Sequence, residues 1–316
     1  ILDNYCDIVL VGDSLGSVLY NYKSTREVSL SMMIEHSKSV RMGIKKALMV
    51  VDMPHNTYRN SKEALKNAKK IMLKTKCDAV KLEGGKKINK TIKNLVKNFD
   101  KRIVFLSTCS VYGAQDGVLT EESETNPLSE YASSKLLGEE YLKDSNSIIF
   151  RLGTLFGISD QFSRVRLDLV VNILTAKALM EKKISVFGGD QWRPLLHVKD
   201  VANAIDQTVD TSLNGIYNLH YKNYKIIDIA EKIKEKIRDV EIDITPMSFE
   251  DARNYQVSSE KLEGESKFKA EIGLEQGIDE IYELILNNRI KDILSLIHIS
   301  EPTRLRRISY AVFCLK

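Results

Sequence analysis

Residues 102–108 read Arg-Ile-Val-Phe-Leu-Ser-Thr, and residues 126–135 read Asn-Pro-Leu-Ser-Glu-Tyr-Ala-Ser-Ser-Lys. The first is a short apolar, partly β-branched run, the pattern of a buried strand. The second opens on a turn at Asn126-Pro127 and continues as a helix over Ser129 to Lys143. The same order of strand then helix recurs on both sides. Upstream, Asp7–Gly12 (DIVLVG), Lys46–Asp52 (KALMVVD) and Asp78–Glu83 (DAVKLE) read as strands, with helices over 31–42, 61–76 and about 87–98. Downstream, a strand at 147–152 is followed by helices near 166–181, 198–209, 226–237 and 277–288, with short strands at 184–187, 215–219 and 239–243. Repeated strand–helix units bring strands together in parallel, so the fold class is α/β.

The chain has 316 residues, 43% hydrophobic and 28% charged, which excludes a disulfide mini-protein, a collagen and a disordered tail. No apolar run approaches the ~18 residues of a membrane span, and the opening residues show no signal-peptide pattern, so a cytoplasmic location is expected. Cys6, Cys77, Cys109 and Cys314 lie far apart without C-x-x-C spacing, which suggests free thiols rather than zinc ligands or disulfides. The net charge is +4, of which residues 294–316 carry +3. The near-neutral remainder argues against nucleic acid as a partner. Lysines 62, 66, 69 and 70 share one face of a helix whose other face holds Leu65, Ala68, Ile71 and Met72, a solvated amphipathic helix.

The chain begins at Ile1 rather than Met, so a preceding segment is expected. Residues 294–316 (LSLIHISEPTRLRRISYAVFCLK) abandon the helical pattern before them and resemble translated sequencing-adapter DNA. They are expected to be disordered and to carry no function.

Asp13, Asp52 and Glu83 each stand at or just after the C-terminal end of a successive predicted strand. On spacing alone they fit acids that cap loops and helix N-termini, or three carboxylates converging on a hard cation such as Mg²⁺. The strings DIVLVGDSLGS, ALMVVDMP and DAVKLEGG, in this order, resemble the ketopantoate hydroxymethyltransferase family from about Asp7 to Gly85. The resemblance implies βα units of a partial (β/α)8 barrel. It also implies Mg²⁺ held at Asp13, Asp52 and Glu83, with Ser14 and Lys81 at an α-keto acid that takes a one-carbon unit from a folate. Gly12-x-x-x-Gly16 after a strand is a weak dinucleotide-loop pattern, because it lacks G-x-G-x-x-G and places Asp13 where bare N–H groups are required.

Tyr131 and Lys135, four residues apart, share one helix face. An ammonium beside a phenol lowers the phenol's pKa toward a working range, and Thr108 at the strand end could reach the same oxygen. A surface Tyr-Lys pair is the structural alternative. VFLSTCSVYG, NPLSEYASSK, FRLGTLFG and FGGDQWRPLLHVKDVANAI together resemble the extended short-chain dehydrogenase/reductase family, from about Lys90 to Asn288. Within it, nucleotide-sugar epimerases and dehydratases are most similar.

That resemblance implies NAD or NADP as cofactor and a nucleotide sugar as substrate. It implies Tyr131 as acid/base, Lys135 tuning it and binding the nicotinamide ribose, and Thr108 in the proton network. Arg193 matches the family's diphosphate-binding arginine; a salt bridge to Asp190 or Asp200 is its structural alternative. Cys109-Ser110 replace the Asp-Glu pair of sugar 4,6-dehydratases, which favours a 4-epimerase or simple oxidoreductase. A homodimer through helices that include the Tyr-Lys helix is a further implication.

The expected organisation is hydroxymethyltransferase-like βα units over 1–88, and over 89–293 an incomplete Rossmann-type parallel sheet lacking the glycine-rich opening βαβ, with the adapter-like tail at 294–316. A chimera of this kind leaves three readings open: an epimerase-type oxidoreductase, a Mg²⁺-dependent hydroxymethyltransferase, or a fusion in which neither site is complete.

Overall fold

The computed structural model describes residues 2–4, 8–82, 90–91, 94, 102–158, 166–246, 253–289 and 314–315. The chain divides into two compact units: Ile1–Phe105 with Glu140–Ile148 and Ile308–Lys316, and Leu106–Glu139 with Ile149–Arg307.

In the first unit β1 (Ile8–Val11), β2 (Leu48–Asp52) and β3 (Ala79–Lys81) form a parallel sheet in the order β1-β2-β3, with Ile8 opposite Leu48 and Asp52 opposite Lys81. Central β2 is buried after its first residue, with Met49, Val50 and Val51 in the core. At the edge, β1 leaves Ile8 and Leu10 about half exposed. Three helices lie between these strands: α1 (Leu15–Tyr20), α2 (Leu30–Gly43) and α3 (Ser61–Thr75). The α3 helix starts where the Asn60 side chain accepts the Glu63 N–H at 2.9 Å, and it buries Ala64, Ala68, Ile71 and Thr75 while its lysines face solvent. Asp78 ties the sheet to α2, accepting from Met49 N at 2.8 Å and from Arg41 at 3.2 Å. The helix expected over about 87–98 lies outside the described residues except for Lys90, Thr91 and Asn94, which are helical.

Three elements begin in one unit and end in the other: β4 (Ile103–Thr108), α4 (Glu130–Leu142) and β6 (Ser147–Leu152). Strands β10 (Gly215–Leu219), β6, β4 and β14 (Cys314–Leu315) neighbour one another in that order. Of the segment 294–316, only Cys314 and Leu315 are described, and they pair antiparallel with Val104 and Ile103.

The second unit adds three small sheets. One has the order β11 (Lys222–Lys225), β9 (Trp192–His197), β7 (Thr154–Phe156). The others pair β12 (Glu241–Thr245) with β8 (Lys183–Phe187) and β13 (Asn254–Val257) with β5 (Ala114–Leu119), both in parallel. Helices α5 (Val170–Glu181), α6 (Val198–Thr208), α7 (Ile226–Lys236), α8 (Glu260–Ser266) and α9 (Leu274–Leu286) complete it. Its core joins Phe156, Val171, Ile184, Leu195, Ile229, Ile233, Leu274 and Ile278. Burying each such side chain contributes about 1.5–3 kcal/mol. Among the described residues no helix is long and apolar enough to cross a membrane.

Candidate active site

In the second unit, β4 delivers Thr108 to its C-terminal end, where the Thr108 hydroxyl accepts the Ser110 N–H at 3.2 Å and opens a short turn over Cys109–Tyr112. The turn ends at Gly113, whose φ of +76° and approach to Asn126 leave no room for a side chain: a Cβ would lie 2.0 Å from the Asn126 carbonyl oxygen. Ser129 then opens α4 by accepting the Ala132 N–H at 3.1 Å, and the first turn of α4 carries Tyr131. Thr108 and Tyr131, expected to act together, thus stand at the end of β4 and the start of α4. Burial pushes the phenol's pKa up, while Arg166, Arg253 and the Thr108 hydroxyl oppose the rise.

Lys135 lies one turn further along α4. Its ammonium donates to the Leu106 carbonyl at 2.8 Å and stands 5.8 Å from the centroid of the Tyr131 ring. Burial alone lowers its pKa. The lysine is on the expected face, and its ammonium is bonded to the β4 backbone.

Arg193 on β9 is 4% exposed, and its guanidinium donates to the carbonyls of Trp192 (2.8 Å) and Arg253. The acids weighed as its partners are engaged elsewhere: Asp190 pairs with Lys225 at 3.0 Å, and Asp200 accepts the Ile272 N–H at 3.0 Å. Arg253 donates to the Ser110 hydroxyl at 3.3 Å, and that hydroxyl also meets the Tyr255 hydroxyl at 3.0 Å. The sequence reading missed Arg253 and Tyr255. They sit in Arg-Asn-Tyr-Gln-Val, a strand too short and polar for alternation to be seen; its one sequence signal is Tyr255 and Val257 spaced two apart, both buried.

Beneath the site the polar groups are closed among themselves. Arg151 on β6 pairs with Glu139 on α4 at 2.7 Å and donates to the Tyr112 hydroxyl at 2.9 Å, and Glu139 also accepts from Ser107. The Cys109 thiol is fully buried, and burial pushes its pKa far up.

In the first unit, Asp52 at the end of β2 is 5% exposed. Its Oδ1 meets the Lys81 ammonium at 2.7 Å, and its Oδ2 accepts the Asp13 backbone N–H at 3.1 Å. Ser14 is exposed at the start of α1 and makes no side-chain cap. Glu83, the third expected metal ligand, lies outside the described residues. Among the described residues no three His, Cys, Asp or Glu side chains are placed to hold a metal ion. The charge on Asp52 is met by a lysine, and the residues described do not by themselves fit a Mg²⁺ centre. The Asp13 N–H is likewise spent on Asp52, which is incompatible with a dinucleotide loop at Gly12–Gly16.

Comparison with known proteins divides the chain in the same sense. Residues 1–99 match the ketopantoate hydroxymethyltransferase family, and residues 82–219 match the NAD dependent epimerase/dehydratase family. The 3-methyl-2-oxobutanoate hydroxymethyltransferase of Pelagibacter ubique is 76% identical over 98 residues, 31% of this chain and 38% of that protein. That of Rhizobium etli is 54% identical over 98 residues, 31% of this chain and 36% of that protein. The chain therefore spans less than two-fifths of these relatives' length.

Among solved structures, dTDP-glucose 4,6-dehydratase from Bacillus anthracis in complex with NAD is similar with a TM-score of 0.63 and 18% identity, over 90% of this chain and 98% of that one. The ADP-L-glycero-D-manno-heptose-6-epimerase of Helicobacter pylori gives 0.61 and 16% over 89% and 96%. At these identities the likeness is one of fold, the Rossmann-type fold of the nucleotide-sugar epimerases and dehydratases. Sequence similar to the ketopantoate hydroxymethyltransferase family and sequence similar to the NAD dependent epimerase/dehydratase family thus follow one another in one polypeptide, the two matches overlapping at residues 82–99.

Proposed function

We propose that the second unit carries the acid/base centre of an NAD(P)-dependent nucleotide-sugar epimerase-type oxidoreductase. The observation that carries this reading is the Lys135 ammonium fixed on the Leu106 carbonyl at 2.8 Å, which ties the helix carrying Tyr131 to the strand ending in Thr108, elements that the sequence separates by more than twenty residues. Tyr131 takes the proton of a sugar hydroxyl, and Thr108 holds the same oxygen in line. Lys135, fixed on the Leu106 carbonyl, is the residue that would hold the nicotinamide ribose. Arg193, with Arg253 beside it, supplies positive charge for the diphosphate. Tyr131 and Lys135 would hold the nicotinamide end of NAD(P), which would supply reversible hydride exchange with the sugar carbon. Cys109 and Ser110 offer no acid/base pair for elimination of water, since the thiol is buried and the hydroxyl is held by Tyr255 and Arg253. Epimerisation or simple oxidation is favoured over dehydration.

The residues present fit the nicotinamide end of a dinucleotide. They do not fit its pyrophosphate, because the sequence contains no G-x-G-x-x-G. Turnover is therefore not expected of this chain. The test is ¹H NMR of UDP-glucose or dTDP-glucose incubated with the protein and NAD⁺. No epimer and no absorbance at 340 nm are expected. An epimer that disappears in Tyr131→Phe would show that the glycine-rich loop is dispensable.

A second reading rests on Asp52, which gathers Lys81 and the Asp13 backbone at the ends of adjacent parallel strands. In it, Asp13, Asp52 and Glu83 hold Mg²⁺, and Ser14 and Lys81 hold an α-keto acid. It requires Lys81 to leave Asp52, and addition of Mg²⁺ with α-ketoisovalerate tests it. A cytoplasmic location and a homodimer complete the proposal.

A further inference from the structure

We infer that the cleft between β5, β9 and β13, on the far side of these strands from Arg193 and Ser110, is a second binding site whose ligand is an uncharged monosaccharide ring. The inference goes beyond the epimerase-type reading and does not depend on it. The cleft, about 210 Å³, is lined by residues 115–117, Trp192, Lys225, Asn254 and Gln256. Side chains alternate between the two faces of a strand. On β13, Tyr255 turns toward the candidate active site, its hydroxyl 3.0 Å from that of Ser110, so Asn254 and Gln256 turn away from it. Arg193 and Trp192 divide in the same way on β9. Lys225 stands opposite Trp192 in the antiparallel register, its ammonium 5.8 Å from the indole centroid. The Trp192 backbone N–H donates to Asn254 Oδ1 at 2.9 Å and ties the two strands together here.

The third wall is a bulge. Asn254 faces Ala114 but Gln256 faces Val118, so two steps along β13 meet four along β5, and the excess chain at 115–117 lines the cleft. Gln115 pins it by donating to the carbonyls of Tyr112 at 2.6 Å and Glu124 at 3.0 Å. Among the described residues, no hydrogen bond engages the Asp116 carboxylate, the Gln256 amide, the Asn254 amide nitrogen or the Trp192 indole N–H. The cleft thus offers donors and acceptors together beside a half-buried aromatic ring. An apolar ligand would strip water from these groups without replacing its hydrogen bonds. An anion would meet the Asp116 and Asp190 carboxylates, and Lys225 is already paired with Asp190 at 3.0 Å. A hydroxyl both donates and accepts, so a ring carrying several of them matches the mixed set while its apolar face lies on the indole. Sites for drug-sized ligands occupy roughly 300–1,000 Å³, so this smaller volume suits a single ring.

Trp192 is the one tryptophan of the chain, so intrinsic fluorescence reports on this cleft directly. The full chain is titrated with D-glucose, D-galactose and N-acetyl-D-glucosamine, and with glycerol as a control for solvent effects. A saturable change with at least one sugar is expected, with a midpoint in the millimolar range that suits so small a ligand. Gln256→Ala and Asp116→Ala remove no hydrogen bond within the protein, and each should raise that midpoint by about three- to tenfold, the worth of one hydrogen bond. The inference is overturned if no sugar gives a saturable change, if glycerol reproduces it, or if neither substitution moves the midpoint. It is overturned likewise if Arg193→Met abolishes a response that Gln256→Ala leaves intact, because the sugar then occupies the opposite face. No nucleotide or dinucleotide enters the titration, so its failure is distinguishable from failure of the proposed function.

Discussion

Arg151 and Glu139 face one another as a closed ion pair in the protein interior: Nη2 lies 2.7 Å from Oε2 and Nε about equidistant from both carboxylate oxygens, with the two side chains 4% and 2% exposed. Desolvation of two charges makes such a pair a modest net stabiliser, yet removing one partner strands the other. Arg151→Met is expected to cost about 3–5 kcal/mol, read as a lower urea midpoint. The double change Arg151→Met with Glu139→Leu should cost less than Arg151→Met alone, and equal or greater loss would contradict this account of the pair.

Gly157 has a φ of +79°, and a Cβ there would lie 2.0 Å from Nε2 of His197. That ring nitrogen meets Glu280 on α9 at 2.9 Å, and Glu280 also pairs with Lys199 at 2.7 Å. Gly157→Ala should therefore both strain the backbone and displace α9, costing about 2–4 kcal/mol, above the usual range for Gly→Ala. A melting temperature within two degrees of the unsubstituted protein would refute it.

Acid should unfold the second unit in two stages. Burial depresses the His220 pKa to about 4, so between the ordinary 6.5 and that value the unfolded chain binds the extra proton and stability falls as pH falls. Glu280 follows. Burial raises its pKa, but hydrogen bonds from His197, Lys199 and Ile158 outweigh that and hold it at about 2. Its contribution is present above the ordinary 4.5 and is lost as pH drops toward 2. Denaturant titrations at stepped pH should show His220→Asn flattening the upper window and Glu280→Gln the lower. An unchanged slope in either variant removes that residue from the explanation.

In the first unit, Lys81→Met leaves the Asp52 carboxylate buried without the ammonium that faces it at 2.7 Å, while the Asp13 N–H remains. A loss of about 3 kcal/mol is expected, largely recovered when Asp52→Asn is added, because the neutral amide no longer needs a counter-charge. Non-recovery would indicate that Lys81 acts through packing.

The βα order, the amphipathic α3 and the strand ends carrying Asp52 and Thr108 were legible because their apolar residues recur at the helical period or run unbroken through a buried strand. What was not legible is short and polar. Strand β13 (Asn-Tyr-Gln-Val) is stabilised by its partner β5 and by Tyr255, and β9 contains Pro194, which sequence reading treats as a breaker. Tyr131, Lys135 and Thr108 could be chosen from spacing and resemblance. The direction of the Lys135 ammonium could not, because the Leu106 carbonyl that receives it is a backbone group offered by a different element. Arg253 was invisible for the same reason: the hydroxyl it meets, on Ser110, stands more than a hundred residues earlier.

The most direct test of the proposed centre is the melting temperature of the full chain, measured with UDP-glucose and dTDP-glucose, with NAD⁺, and with Mg²⁺ plus α-ketoisovalerate. At one hundred times its dissociation constant a ligand stabilises by about 2.7 kcal/mol, enough to move the transition by several degrees. A rise with at least one nucleotide sugar, larger than any rise with NAD⁺, is predicted. A rise confined to Mg²⁺ with the keto acid, or none at all, would contradict the assignment of Tyr131 to a nucleotide-sugar site.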